Sequence, residues 1–176
     1  LVLVTIYIKQ KKLVWLMMAD LIAPLIALGH GIGRIGCLLV GDDYGIPSNL
    51  PWAISFPNGS PPSSAYYLSQ AGCEIPSDVM PSDILSVHPT QIYEMLIYFL
   101  IFLFLRRMLN KQHFGGEIFM NYLFLAGLGR FLVEFIRLNP RYLFDLSGAQ
   151  YISLLMMIIA TSFHYYTRKI NSYGKN

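Results

Sequence analysis

The chain of 176 residues is 55% hydrophobic and only 13% charged, with a mean hydropathy of +0.48, which sets it apart from an ordinary soluble domain. Its net charge of +3 comes from positives that form no continuous basic stripe, which excludes nucleic acid as a partner. Two cysteines, Cys37 and Cys73, make neither a metal motif nor a disulfide framework.

These values predict an integral membrane protein. The opening run LVLVTIYI is too short to cross roughly 30 Å of hydrocarbon. It also lacks the basic leader and small-residue cleavage site of a signal peptide. It reads as a partial span of an N-terminally truncated chain. Four longer apolar segments follow, at about 13–39, 89–105, 118–136 and 150–166, each a predicted helical span. The expected fold is therefore all-α, a single polytopic transmembrane bundle over 1–176 with about four full spans and an N-terminal partial one. Residues 40–88, rich in Pro, Ser, Gly and Asp, form a long arm inserted between spans.

Lysine and arginine set the predicted orientation. Lys9, Lys11, Lys12, Arg106, Arg107, Lys111, Arg168, Lys169 and Lys175 follow alternate span ends, which makes those ends and the C-terminus cytoplasmic and the arm extracytoplasmic. The four remaining positives, Arg34, Arg130, Arg137 and Arg141, all fall at or toward the opposite face. A charge inside a membrane helix costs about 2.5–3.5 kcal/mol on insertion scales, so it needs a partner or a purpose. Arginine suits phosphate, which its planar fork binds through two parallel hydrogen bonds. At that depth the natural phosphate belongs to a phospholipid headgroup.

In LGHGIGRIGCLLVGDDYG the glycines match G-x-G-x-x-G, but the run continues an apolar helix rather than following a strand. A dinucleotide site is excluded, and close helix packing around Arg34 is expected instead. Asp42 and Asp43, adjacent carboxylates without further convergent ligands, predict a solvated turn and no metal. In SVHPTQIYE, Pro89 suits a first helical turn with His88 just outside it. Gln91 and Glu94 then share a side, His88 is a candidate acid or base, and Tyr93 equally fits an interfacial anchor. In LAGLGRFLVEFIRLNPR, the spacing of Arg130, Glu134 and Arg137 puts all three on one helical face. Gly127 and Gly129 leave room beside them for another helix or a bound headgroup.

Together these stretches resemble the prolipoprotein diacylglyceryl transferases, bacterial inner-membrane enzymes that begin lipoprotein maturation. GRIGCLLVGDDYG is similar to the family's G-R-I-G-N-F-x-N-G-E-x-x-G, LPWAISFP to L-P-W-x-x-x-F-P, HPTQIYE to H-P-[ST]-Q-L-Y-E, and GRFLVEFIR to [GA]-x-R-F-x-V-E-F-x-R, in family order over residues 13–166. The resemblance implies transfer of the diacylglyceryl group of phosphatidylglycerol to the lipobox cysteine thiol of a preprolipoprotein, in the bacterial inner membrane among its lipids, with no cofactor. It places Arg34, His88, Arg130 and Glu134 as catalytic residues and Asp42, Gln91, Tyr93, Glu94 and Arg137 as substrate-binding ones. Cys37 replaces the signature asparagine, Val40 a second polar position, Asp42 the signature glutamate and Ala126 a tyrosine, and the family's H-G-G stretch is missing from this sequence. A phospholipid-binding relative without activity therefore stays open beside the enzyme. A small transporter is a third class, weakened because no motif repeats along the chain.

Overall fold

The computed structural model describes residues 2–111 and 114–173. Lys175, one of the positives used for orientation, lies outside them. The chain is mostly helical. Helix α1 (Val2–Gln10) precedes α2 (Trp15–Val40), which carries a buried proline, Pro24, in its interior. The arm holds β1 (Ile54–Ser55), α3 (Ala65–Gln70) and β2 (Ser86–Val87). Next come α4 (Thr90–Leu109) and α5 (Glu117–Val133). A 3-10 turn, Glu134–Ile136, and a second, Leu143–Asp145, lead to α6 (Gly148–Tyr173). By length and composition, Trp15–Val40 and Glu117–Ile136 are apolar enough to cross a membrane.

Helix ends explain much of the arrangement. Helix α2 stops where Gly41 adopts the left-handed conformation at φ 68° and its N–H returns to the Cys37 carbonyl at 2.9 Å, the usual glycine stop. The first turn of α5 is capped from another helix. Buried Asp20 of α2 accepts from the N–H groups of Gly116 at 2.7 Å and Phe119 at 2.8 Å, donors that a helix start otherwise leaves unpaired. Ser147 and Gln150 form a reciprocal capping box at the start of α6, through Gln150 N–H to Ser147 Oγ at 3.3 Å and Ser147 N–H to Gln150 Oε1 at 2.8 Å.

The inner core joins α2, α4 and α5 through Ala23, Ala27, Ile101, Leu105, Ile118, Tyr122 and Ala126. Small residues set the approach. A Cβ at Gly129 would come within 2.7 Å of Ile97, and one at Gly127 within 3.0 Å of the Ser153 carbonyl. The room beside Arg130 is therefore filled by α4 and α6. Gly29, Gly33 and Gly36 are different, since a Cβ there would meet nothing within 4 Å. The expected close helix packing at these glycines does not occur, because α4 crosses α2 on the Gly31 side. The arm is folded around its own small core of Tyr44, Phe56, Leu68 and Val87. Tyr44 and Phe56 stack at 5.4 Å, and β1 pairs antiparallel with β2.

Candidate active site

The arm returns to the bundle at Gly45. Its N–H donates to the His88 carbonyl at 2.9 Å, and the Ile46 N–H donates to the Ile136 carbonyl at 2.9 Å. A side chain at Gly45 would collide with that same Ile136 oxygen and come within 2.9 Å of His88 and Thr90. The turn before it is clamped by the first turn of α4. Thr90 Oγ1 donates to the Asp43 carbonyl and Gln91 Nε2 to the Asp42 carbonyl, both at 2.5 Å. The backbone of Asp43 is left-handed at φ 58°, a conformation aspartate tolerates better than most residues. Gln91 and Thr90 thus act as struts that aim the Asp43 side chain at Arg34 and Arg137.

Three helices converge there and bring five of the expected site residues into one ion network. Glu94, buried in α4, lies against Arg34 Nε of α2 through Oε2 and accepts from Arg130 Nη1 of α5 through Oε1 at 2.6 Å. Arg137 Nη1 is 3.6 Å from the same Oε1. Glu134, also buried, lies 3.2 Å from Arg130 Nη2 and 3.8 Å from Arg137 Nε. Its Oε1 accepts from Asn139 Nδ2 at 2.6 Å and Ser147 Oγ at 2.7 Å. Asp43 completes the set, bonding Arg34 Nη1 at 2.9 Å and pairing with Arg137 Nη2. Three guanidinium groups thus face three carboxylates, and the pairing offsets a desolvation cost that isolated buried charges could not bear. Burial opposes ionisation of Asp43, yet Arg137 and Arg34 outweigh it and hold its carboxyl below the usual range.

The network has an open side. Arg34 and Arg130 keep 22% and 23% of their side-chain surface accessible, whereas Arg137 is buried. Both line a cavity of about 470 Å3 with Gly29, His30, Gly33, Cys37 and Tyr98. The absent side chains of Gly29 and Gly33 make this space. His30 is held at its wall by a 3.0 Å contact between Nδ1 and Tyr122 Oη and by an edge-on Tyr98 ring at 5.0 Å. Beside the cavity, between α2 and α4, lies a wholly apolar groove of about 310 Å3 lined by Leu28, Gly31, Ile32, Ile35, Met95, Leu96 and Phe99. A polar cavity bearing two cationic forks beside an apolar groove suits an amphiphile with an anionic head.

Other expected residues stand elsewhere. His88 Nδ1 meets Tyr93 Oη at 3.2 Å, and Tyr93 Oη accepts from Trp52 Nε1 at 2.8 Å, a chain separate from the arginine cavity. Asp42 supplies its carbonyl to Gln91, while its Oδ1 has no hydrogen-bond partner among the described residues. Ligand atoms of Cys37, Asp42 and Asp43 lie within 4.8 Å of one another. Two guanidinium groups already occupy Asp43, which opposes a cation there. Sequence reasoning missed Asp43 as the carboxylate that meets Arg34 and Arg137, along with His30, Asn139, Ser147 and Gln150. For the last two, the S-x-x-Q capping pattern was a usable signal.

Residues 1–166 match the family model for prolipoprotein diacylglyceryl transferase. The chain is 38% identical over 159 residues to the phosphatidylglycerol--prolipoprotein diacylglyceryl transferase of Clostridium tetani, covering 89% of this chain and 56% of that protein. The like-named protein of Finegoldia magna is 36% identical, covering 88% of this chain and 53% of its own length. A Clostridium perfringens relative carrying that name with the suffix 2 is 36% identical, covering 80% and 48%. The chain thus spans about half the length of the curated relatives it matches.

Proposed function

Because the chain belongs to the prolipoprotein diacylglyceryl transferase family, we propose that it carries out, within its full-length protein, transfer of the diacylglyceryl group of phosphatidylglycerol to the lipobox cysteine thiol of a preprolipoprotein. The observation that carries this reading is the pair of accessible guanidinium groups, Arg34 and Arg130, on one cavity wall. The protein is proposed to sit in the bacterial inner membrane with α2, α4, α5 and α6 as full spans and α1 as a partial one. The arm, residues 40–88, is then extracytoplasmic and the C-terminus cytoplasmic. Lys9, Lys11, Lys12, Arg106, Arg107 and Lys111 support that orientation.

In this reading the phosphate of phosphatidylglycerol enters between Arg34 and Arg130. Arg34 Nη2 and Arg130 Nε donate no hydrogen bond among the described residues, so each fork keeps a donor for an anion while Glu94 holds its position. Glu134 orients Arg130, and buried Arg137 holds Asp43 against Arg34. Gln91 holds the Asp42 carbonyl in the turn that carries Asp43, and Tyr93 ties α4 to Trp52 of the arm. The apolar groove beside the cavity suits an acyl chain.

The reaction needs a thiolate, since a thiol titrates near 8.5 and the thiolate is the nucleophile. Of the two histidines near the site, His30 lines the cavity and His88 is engaged by Tyr93. His30 is therefore the better acceptor for the thiol proton, with Tyr122 holding its other nitrogen. The thiolate attacks the glyceryl carbon that bears the phosphate, a C–S bond forms as the C–O bond breaks, and glycerol phosphate departs. Arg34 and Arg130 face the charge that grows on the departing group. Incubating the natural full-length protein with phosphatidylglycerol and a lipobox peptide tests the proposal. A diacylglyceryl adduct on the peptide cysteine supports it; bound phosphatidylglycerol without adduct would favour a lipid-binding relative without activity.

A further inference from the structure

The link between α5 and α6 carries an apolar tip that the reaction does not use. Tyr142, Leu143 and Phe144 are consecutive and expose 65%, 69% and 82% of their surface. They are held out by design of the backbone. Phe144 at φ 55° and Asp145 at φ 56° are both left-handed, a region that an aromatic residue seldom occupies. The surrounding bonds keep that turn in place. The Tyr142 N–H donates to the Leu146 carbonyl at 2.9 Å, Arg141 Nη1 lies 3.2 Å from Asp145 Oδ2, and Tyr151 Oη donates to the Leu143 carbonyl. Three large, mostly apolar side chains on a hydrogen-bonded turn are left exposed, and no packing among the described residues repays their contact with water.

The neighbours identify what covers them. Through Tyr151 the tip adjoins α6, whose Tyr151, Ile152 and Leu155 are exposed. Through Arg141 Nη2, which donates to the Phe135 carbonyl at 2.9 Å, it adjoins the end of α5, where Leu132 and Phe135 are exposed. The tip thus continues the apolar outer faces of two helices, with the Arg141–Asp145 pair as a polar collar at its base. We propose that Tyr142, Leu143 and Phe144 insert into the interfacial layer of the phospholipid bilayer at the end of the bundle that holds the arginine network. This inference rests on the membrane reading above. Aromatic and apolar side chains at the boundary between headgroups and acyl chains gain burial while the collar stays hydrated.

The anchor is fastened to the network. Glu134 Oε1 accepts from Asn139 at one foot of the link and from Ser147 at the other. Bilayer contact at the tip therefore fixes the height at which Glu134 and Arg130 meet a headgroup.

The test places a fluorescent reporter at the tip. In the full-length protein with every native tryptophan, Trp15 and Trp52 among them, replaced by phenylalanine, the single change Phe144→Trp is reconstituted in phosphatidylglycerol vesicles containing lipids brominated at shallow or deep acyl positions. Tyr142→Trp serves as a second reporter. Blue-shifted emission quenched more by the shallow than by the deep bromines is the expected result. Water-like emission that neither set quenches overturns the proposal. Quenching that appears only after a lipobox peptide is added also overturns it, in favour of the peptide as the tip's partner. The readout needs no turnover, so absence of transferase activity would count against the proposed function and leave the anchor standing.

Discussion

Glu94 and Arg130 meet at 2.6 Å where α4 and α5 face each other, and Arg34 of α2 lies against the other oxygen of the same carboxylate. One buried acid therefore ties three helices together and also orients two guanidinium forks toward a cavity. Stability and proposed chemistry share this residue, so its replacement should affect both.

Glu94→Gln keeps the shape and removes the charge that two arginines share. Breaking a buried ion pair by removing one partner typically costs about 3–5 kcal/mol. Thermal unfolding in detergent should show a large loss of stability for Glu94→Gln. Arg106→Gln, at the exposed far end of α4, should melt like the parent.

Asp43 supplies a pH dependence. Its folded-state carboxyl titrates below the ordinary range because Arg137 and Arg34 outweigh the effect of burial. A depressed carboxylate contributes stability that is fully present above its unfolded value and lost as pH falls through its folded value. Melting temperature should therefore fall on acidification below the normal carboxylate range, and Asp43→Asn should flatten that part of the profile. The side chain is 41% exposed, so solvent screening keeps the effect modest.

Asp20 stands in the apolar first half of α2 and accepts two N–H groups at the start of α5. Losing a capping side chain costs about 0.5–2 kcal/mol. Asp20→Ala should lower the melting temperature and raise amide exchange in the first turn of α5. Asp20→Asn, which still offers one acceptor oxygen, should retain part of the protection. Equal behaviour of Asp20→Ala and the parent would refute the cap.

The catalytic assignment of His30 has its own signature. His30→Gln should slow transfer by about a hundredfold at neutral pH, the lower end of typical general-base effects. The deficit should shrink as pH approaches the ordinary thiol value near 8.5, where the substrate ionises without help. His88→Gln should leave the shape of the pH profile unchanged, since His88 is absent from the cavity lining.

Apolar runs located the four long helices, although α6 continues to Tyr173, seven residues past its expected end, and i,i+4 spacing anticipated the 3.2 Å approach of Arg130 to Glu134. The same reasoning put Arg137 on that helical face, yet α5 ends at Val133 and a 3-10 turn carries Glu134 onward. Arg137 reaches the network because its backbone is extended and bridges to Gly45. Contacts such as Glu94 with Arg34, Asp20 with α5, and Asp43 rather than Asp42 pairing with Arg34 and Arg137 depend on which elements adjoin. Local pattern carries no such information. The glycines of α2 mark the same boundary: their spacing suggested helix packing, and only the position of α4 reveals that Gly29 and Gly33 face a cavity.

The most direct test compares diacylglyceryl adduct on a lipobox peptide, measured by mass spectrometry, for the full-length protein and its Arg130→Ala and Arg106→Ala variants. If the cavity between Arg34 and Arg130 holds the departing phosphate, Arg130→Ala should lower the rate by at least about a hundredfold, as loss of a preorganised donor does. Arg106→Ala should then match the parent. Equal adduct formation by Arg130→Ala in a folded, lipid-containing sample would contradict the account and place the reaction elsewhere on the molecule.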